Sequence, residues 1–217
     1  MTEPTRRVVT WGGVILGIAA LVVGLALLAT RTGEGVGPLT KPISADDHGK
    51  GNPDAKVVLV EYSDFQCPSC AATYPMVKQL SQEFGDKLYV VYRHLPIKEI
   101  HANAELAARA AEAAGKQGKF WDMHDIIFNT QVNWGENPDA LSHFNDLADS
   151  LGINTSTFLA DIESAEVRAK VNADYQSGVA AGVSATPTFF LNGQPISISG
   201  SYEQFRKITA TAIEQNP

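Results

Sequence analysis

Cys67, Pro68, Ser69 and Cys70 contain both cysteines of the 217-residue chain, and two thiols separated by two residues are first of all a redox pair. Val57, Val58, Leu59 and Val60 precede them as an apolar run suited to a central parallel strand. Pro68 follows at a position that opens a helix, where a missing amide hydrogen costs nothing. The pair is therefore expected at a strand-to-helix junction. At a helix N-terminus, unpaired amide hydrogens and the positive end of the dipole favour the Cys67 thiolate over the thiol. A stabilised thiolate is also a good leaving group, so a disulfide between Cys67 and Cys70 is more oxidising. Cys70, one turn inside the helix, is the shielded, resolving thiol. Pro68 and Ser69 add no cation, so the Cys67 pKa is expected below the free value of about 8.5 yet above the about 3.5 of the most depressed thiols. The alternative is half a zinc site, which needs two further Cys or His ligands. His48, His94, His101, His124 and His143 form no such pair, and no metal is expected.

The surrounding pattern supplies the elements that hold this pair. Tyr74, Val77, Leu80 and Phe84 recur at helical spacing, Gly85 ends that helix, and residues 88–94 read as a second strand. Further on, residues 188–191 and 196–198 flank Asn192 and Gly193, a hairpin dipeptide. Ser201 with Gln204 reads as a capping box for a last helix carrying Phe205, Ile208, Ala212 and Ile213. Between these halves, residues 98–176 read as helix throughout: eight alanines in residues 102–114, then residues 120–128, then Leu141, Phe144, Leu147 and Leu151 before Gly152. Glu61 stands out in the first strand, because a carboxylate there either faces water or is buried at a cost of several kcal/mol unless neutralised or paired. Asp64 reads as a turn residue.

Three segments, GNPDAKVVLVEYSDFQCPSC, GKFWDMHDIIF and GVSATPTFFLNG, together resemble the DsbA-like thiol:disulfide oxidoreductases of the thioredoxin superfamily, from about Asp46 to the end. The resemblance implies an α/β thioredoxin-like fold with an inserted all-helical lobe that roofs the active site and leaves an apolar groove. Phe120, Trp121 and Trp134 are candidates for that groove or for the lobe's core. It also implies that Pro187 is cis and lies against the cysteines, that Thr186 holds substrate peptides through its backbone, and that Glu61 is a buried acid relaying a proton to or from Cys70. A quinone-linked membrane partner would reoxidise the pair, and no cofactor beyond the Cys67–Cys70 disulfide is implied. His94, His101 and His124 are read as solvated or core histidines.

Residues 8–29 carry no charge and as a helix would span about 33 Å, enough for a hydrocarbon core of about 30 Å. They are expected to form one transmembrane anchor, with Arg6 and Arg7 on the cytoplasmic side of a short tail at residues 1–7. A cleaved signal peptide ending near Gly24 and Ala26 is the rival. Residues 30–51, with Gly33, Gly35, Gly37, Pro38 and Pro42, read as a flexible tether, and residues 52–217 as one domain. The chain carries a net charge of −7, or −8 without Glu3, Arg6 and Arg7, which argues against nucleic acid. A dithiol outside the cytoplasm points to net oxidation of reduced exported proteins. A disulfide isomerase or reductase, including one serving cytochrome maturation, would use the same residues, and a tethered peptide-binding module or holdase is the alternative of another class.

Overall fold

The computed structural model describes residues 35–217, so the tail and anchor expected at residues 1–29 lie outside the described residues. Among the described residues no helix is long and apolar enough to cross a membrane. The chain forms β1 (His48–Gly51), β2 (Val57–Ser63), α1 (Pro68–Phe84) and β3 (Leu88–His94). Six helices follow: α2 (Ala104–Gly115), α3 (Phe120–Asn129), α4 (Gln131–Trp134), α5 (Ala140–Ser150), α6 (Thr155–Glu163) and α7 (Ala165–Ala180). Then come β4 (Thr188–Leu191), β5 (Gln194–Ile196) and α8 (Tyr202–Gln215). The sheet order is β1-β3-β2-β4-β5, with β2 and β3 parallel and the other pairs antiparallel.

Strand β2 sits at the centre because it is apolar on both faces. Val57 and Leu59 pack with Leu88, Val90 and Phe189 against Val77 and Leu80 of α1 and Phe205 of α8. Val60 and Tyr62 pack with Val91 and Phe190 on the opposite side, against Ala181 and Val183. Helix α7 comes close to that face because Gly178 leaves room: a Cβ there would lie 2.4 Å from Leu95 Cδ1 and 3.0 Å from Tyr62. The lobe is organised by α2, whose buried alanines let α3, α6 and α7 pack against it. Its core includes Trp134, Phe144, Phe158 and Ile162.

The structure corrects several expectations. The tether expected at residues 30–51 is part of the domain from Val36 onward: Val36 and Leu39 pack on the sheet, and β1 pairs with β3. The fully buried Arg93 guanidinium grips both carboxylate oxygens of Asp47 at 2.8 and 2.9 Å and the carbonyls of Lys41 and Pro42 at 2.9 and 3.0 Å. Scattered glycines and prolines hid that anchoring, which depends on an arginine 46 residues away. The helical insertion starts at Ala104 instead of residue 98, and its last helix runs past residue 176 to Ala180, where the Tyr62 and Ser177 hydroxyls meet at 2.7 Å. Leu141 faces solvent and Ala140 takes the buried position. The hairpin turns at Asn192 and Gly193, both with positive φ, as a two-residue turn requires, so β5 ends at Ile196 and excludes Ile198. Ser201 makes no side-chain cap; Gln204 Oε1 accepts instead from the Ser199 amide at 2.5 Å.

Candidate active site

Cys67 occupies the N-cap of α1 with extended backbone (φ −68°, ψ 123°) and Pro68 as the first helical residue. Its carbonyl accepts from the Ala71 amide at 3.1 Å, and its amide donates to the Asp64 carbonyl at 3.1 Å. Helix α4 clamps the same loop, since Gln131 Nε2 donates to the carbonyls of Phe65 at 2.7 Å and Cys67 at 3.0 Å. Gln66 ties it to the lobe through Gly135 and Asn103. Asp64 acts as a turn residue, as expected: one carboxylate oxygen accepts from the Gln66 amide, the other from the Ile97 amide and His101 Nδ1.

Both cysteines are free thiols. Cys67 is 8% exposed and Cys70 0%, with Pro68 and Ser69 on the surface beside them. Cys67 Sγ donates to the Thr186 carbonyl at 3.4 Å, and the Thr186–Pro187 peptide is cis. The fold thus brings Cys67, Cys70, Thr186 and Pro187 together from two separated stretches of sequence. The Cys70 thiol hydrogen-bonds to Cys67 and, against the opposing effect of burial, draws its pKa down to about 5, helped by Thr186 and the amides of Cys70 and Ser69. Burial, then the neighbouring Cys67 and Glu61, push the Cys70 thiol well above the ordinary range. One turn of helix separates a thiol that ionises readily from one that resists ionisation.

Glu61 is buried, as the resemblance implied, with 3% of its surface exposed. It pairs across the sheet with Tyr92 and Phe189. Its Oε1 and the Tyr92 hydroxyl are buried without hydrogen-bond partners. Burial lifts its pKa to about 7, and the nearby Ser63 hydroxyl, which completes no hydrogen bond, lowers it only in part. Phe120 and Trp134 are core residues, while Trp121 is half-buried and donates its indole N–H to the Gly49 carbonyl at 2.9 Å.

His124 is a core histidine, one of the two arrangements expected of it. It is buried against Phe65, Tyr74, Tyr92 and Phe128 and shares a small cavity with Glu61. A clue was present in the one-turn spacing of Tyr74 and Lys78, since Lys78 Nζ donates both to the Tyr74 hydroxyl and to Asp125, the neighbour of His124. His94 is buried too, with Glu112 and Asp174, and single ligand atoms of the three lie within 4.8 Å of one another. Lys170 Nζ, 2.5 Å from Asp174 and 3.6 Å from Glu112, already supplies the positive charge there, which makes this an ion-pair network.

An extended N-cap cysteine, a shielded second cysteine one turn on and a cis-proline loop against them define a thioredoxin-fold dithiol protein. The thioredoxin family model matches residues 44–210, and the chain belongs to that family. Among solved structures, oxidised BdbD from Bacillus subtilis is similar over 83% of this chain and 100% of its own, with a TM-score of 0.73 and 22% identity. A thioredoxin-like oxidoreductase from Silicibacter pomeroyi matches 79% of this chain and 94% of its own, with a TM-score of 0.66 and 26% identity. Among curated relatives, a protein named Na(+)/H(+) antiporter NhaA from Herminiimonas arsenicoxydans is 37% identical over 219 residues, covering 96% of this chain and 33% of that protein. The chain spans about a quarter to a third of the length of the curated relatives it matches.

Proposed function

We propose that this protein is an extracytoplasmic thiol:disulfide oxidoreductase that introduces disulfides into reduced exported proteins. The observation that carries the reading is the placement of the two thiols: Cys67 caps the N-terminus of α1 with its sulfur 3.4 Å from the Thr186 carbonyl, and Cys70 is fully buried one turn on, surroundings that draw the first thiol's pKa down and push the second up. A client thiolate attacks Cys67 Sγ of the oxidised pair, and the Cys67–Cys70 bond breaks with Cys70 leaving as a thiolate that takes a proton from Glu61. A second client thiolate then attacks the client sulfur of the mixed disulfide, closing the client's disulfide and expelling Cys67 as a thiolate. Two electrons pass from client to enzyme. Stabilisation of the departing Cys67 thiolate favours the reduced enzyme and hence client oxidation. Pro68 and Ser69 border the sulfur, and Thr186 and Pro187 form the wall against which a client segment would lie.

The same reading gives the dithiol a membrane setting: residues 8–29 as a single-pass anchor in lipid, the domain outside the cytoplasm, and a quinone-linked membrane reoxidase to restore the disulfide. It requires no metal and no cofactor beyond the Cys67–Cys70 disulfide. The test is the reduction potential of the full chain together with single cysteine variants. A potential near −120 mV is that of an oxidant and one near −270 mV that of a reductant. Cys67→Ser is expected to abolish exchange and Cys70→Ser to accumulate mixed disulfides with clients. Mixed disulfides held through Cys70 in Cys67→Ser at comparable yield would reverse the roles.

A further inference from the structure

Cys70 is fully buried, so the proton it gains or loses in each cycle has no direct route to water. Glu61, itself buried, has to pass that proton on. A cavity of about 20 Å³ joins Glu61 to His124, enough for about one water, and Glu61 Oε1 has no protein partner to compete for it. From the cavity floor a chain of polar groups runs outward. His124 Nδ1 meets Asp125 Oδ1 at 3.0 Å, Asp125 Oδ2 meets Lys78 Nζ at 2.7 Å, and Lys78 Nζ donates to the Tyr74 hydroxyl at 3.1 Å. Lys50, Lys78, Ser81 and Asp125 are partly exposed and form the rim.

We propose that His124 relays the proton between Glu61 and solvent across a single cavity water, with Asp125 at the rim staying ionised and holding the imidazole in place. The inference rests on the thiol-exchange reading above and extends it to the proton's path. Imidazole suits the task because one ring nitrogen can take a proton while the other gives one up. Asp125 fixes which nitrogen does which, because its carboxylate accepts from Nδ1–H at 3.0 Å and so leaves Nε2 as the acceptor. Burial holds the His124 pKa below its ordinary value, with Asp125 pulling the other way, so the ring is neutral and able to accept at neutral pH. The charged and titratable groups around it are Lys50 from β1, Glu61 from β2, Tyr92 and His94 from β3, Tyr74 and Lys78 from α1, and Asp125 from α3. His124 is thus a positioning and relay residue acting through Glu61, without contact with either thiol.

The test follows oxidation of the reduced full chain by 5,5′-dithiobis(2-nitrobenzoate) in stopped flow. Attack of the Cys67 thiolate on the reagent's disulfide releases one thionitrobenzoate and leaves a mixed disulfide. Cys70 then loses its proton to Glu61 and attacks Cys67 Sγ, which closes the Cys67–Cys70 bond and releases the second thionitrobenzoate. His124→Gln is expected to leave the first release unchanged, to slow the second about tenfold or more at neutral pH, and to raise its solvent deuterium isotope effect. Asp125→Asn, at the partly exposed rim, should slow the second release less and in the same manner, and serves if His124→Gln does not fold. An unchanged second release in these variants, or slowing with the wild-type isotope effect, overturns the relay. A wild-type chain without two releases, or a Glu61→Gln chain with an unaltered second release, would instead overturn the thiol-exchange reading or the role of Glu61.

Discussion

Two buried glutamates in one domain meet opposite fates. Glu61 on β2 and Glu112 on α2 are 3% and 6% exposed, so desolvation presses on both. Glu61 has one oxygen without a partner and a pKa pushed up to about 7. Glu112 receives His48 Nε2 and His94 Nε2 at 2.8 Å each, with Lys170 Nζ 3.6 Å away. Although burial pushes its carboxyl up, those histidines and Lys170 hold it well below the ordinary carboxylate range. Burial alone therefore does not decide what a carboxylate does; its partners do. The unpaired one is left able to trade protons near neutral pH beside the cysteine pair, while the paired one fastens β1, β3, α2 and α7 together.

The largest expected effect is at the paired site. Glu112→Leu removes the acceptor shared by His48 and His94 and leaves Lys170 with Asp174 alone, and loss of one partner from a buried charge cluster costs about 3 to 5 kcal/mol. Urea unfolding at neutral pH checks this, and a loss under about 1 kcal/mol would mean that the cluster is solvated and the comparison false. Because the folded pKa lies below the ordinary 4.5, the stability from Glu112 is fully present above that value and is lost as the pH falls below it. The variant should accordingly have a flatter acid limb.

Glu61 should behave in the opposite sense. Its folded pKa of about 7 against an ordinary 4.5 means that the neutral carboxyl favours the fold. That stability is fully present below about 4.5 and is lost as the pH rises through about 7. At about 1.4 kcal/mol per pH unit the cost above neutrality approaches about 3 kcal/mol. Glu61→Leu should therefore be more stable than the parent at pH 8 by an amount of that order and gain little at pH 4. A gain of the same size at both pH values would point to packing instead of charge.

Much of this site was legible because its parts are local. The Cys67–Cys70 spacing, the apolar run of β2 and Pro68 at the helix start lie within 14 residues of one another, and each is a backbone or helix-end effect that sequence records directly. Glu61 was visible as a charge in an apolar strand, and its burial followed from the family resemblance. The partners of Glu112 were not visible, because they come from residues 48, 94 and 170, and only the packing of α7 against both α2 and β3 brings them together. His124 is a core histidine, as one alternative had it, but its position beside the Glu61 cavity is not visible in the sequence, because it depends on α3 packing over α1 and the sheet. The segment from Val36 reads as a tether because its glycines and prolines signal chain flexibility, whereas its place in the domain comes from Arg93.

The smallest expected effect separates the two glutamates by their influence on the thiols. Glu61 raises the pKa of Cys70 by its charge, whereas Cys67 answers chiefly to Cys70, burial, Thr186 and the amides at the helix start. Thiolate absorbance of the reduced full chain should give a Cys67 midpoint of about 5, and that midpoint should stay in place in both Glu61→Gln and Glu112→Gln. The later titration of Cys70 should begin at lower pH in Glu61→Gln alone, since only there has a neighbouring negative charge been removed. Glu112 lies in a separate network with His48, His94 and Lys170 and should leave both thiols unmoved. A shift of the Cys67 midpoint in Glu112→Gln would show that the two carboxylates share one electrostatic field, and the division between a proton-exchanging and a fastening glutamate would then fail.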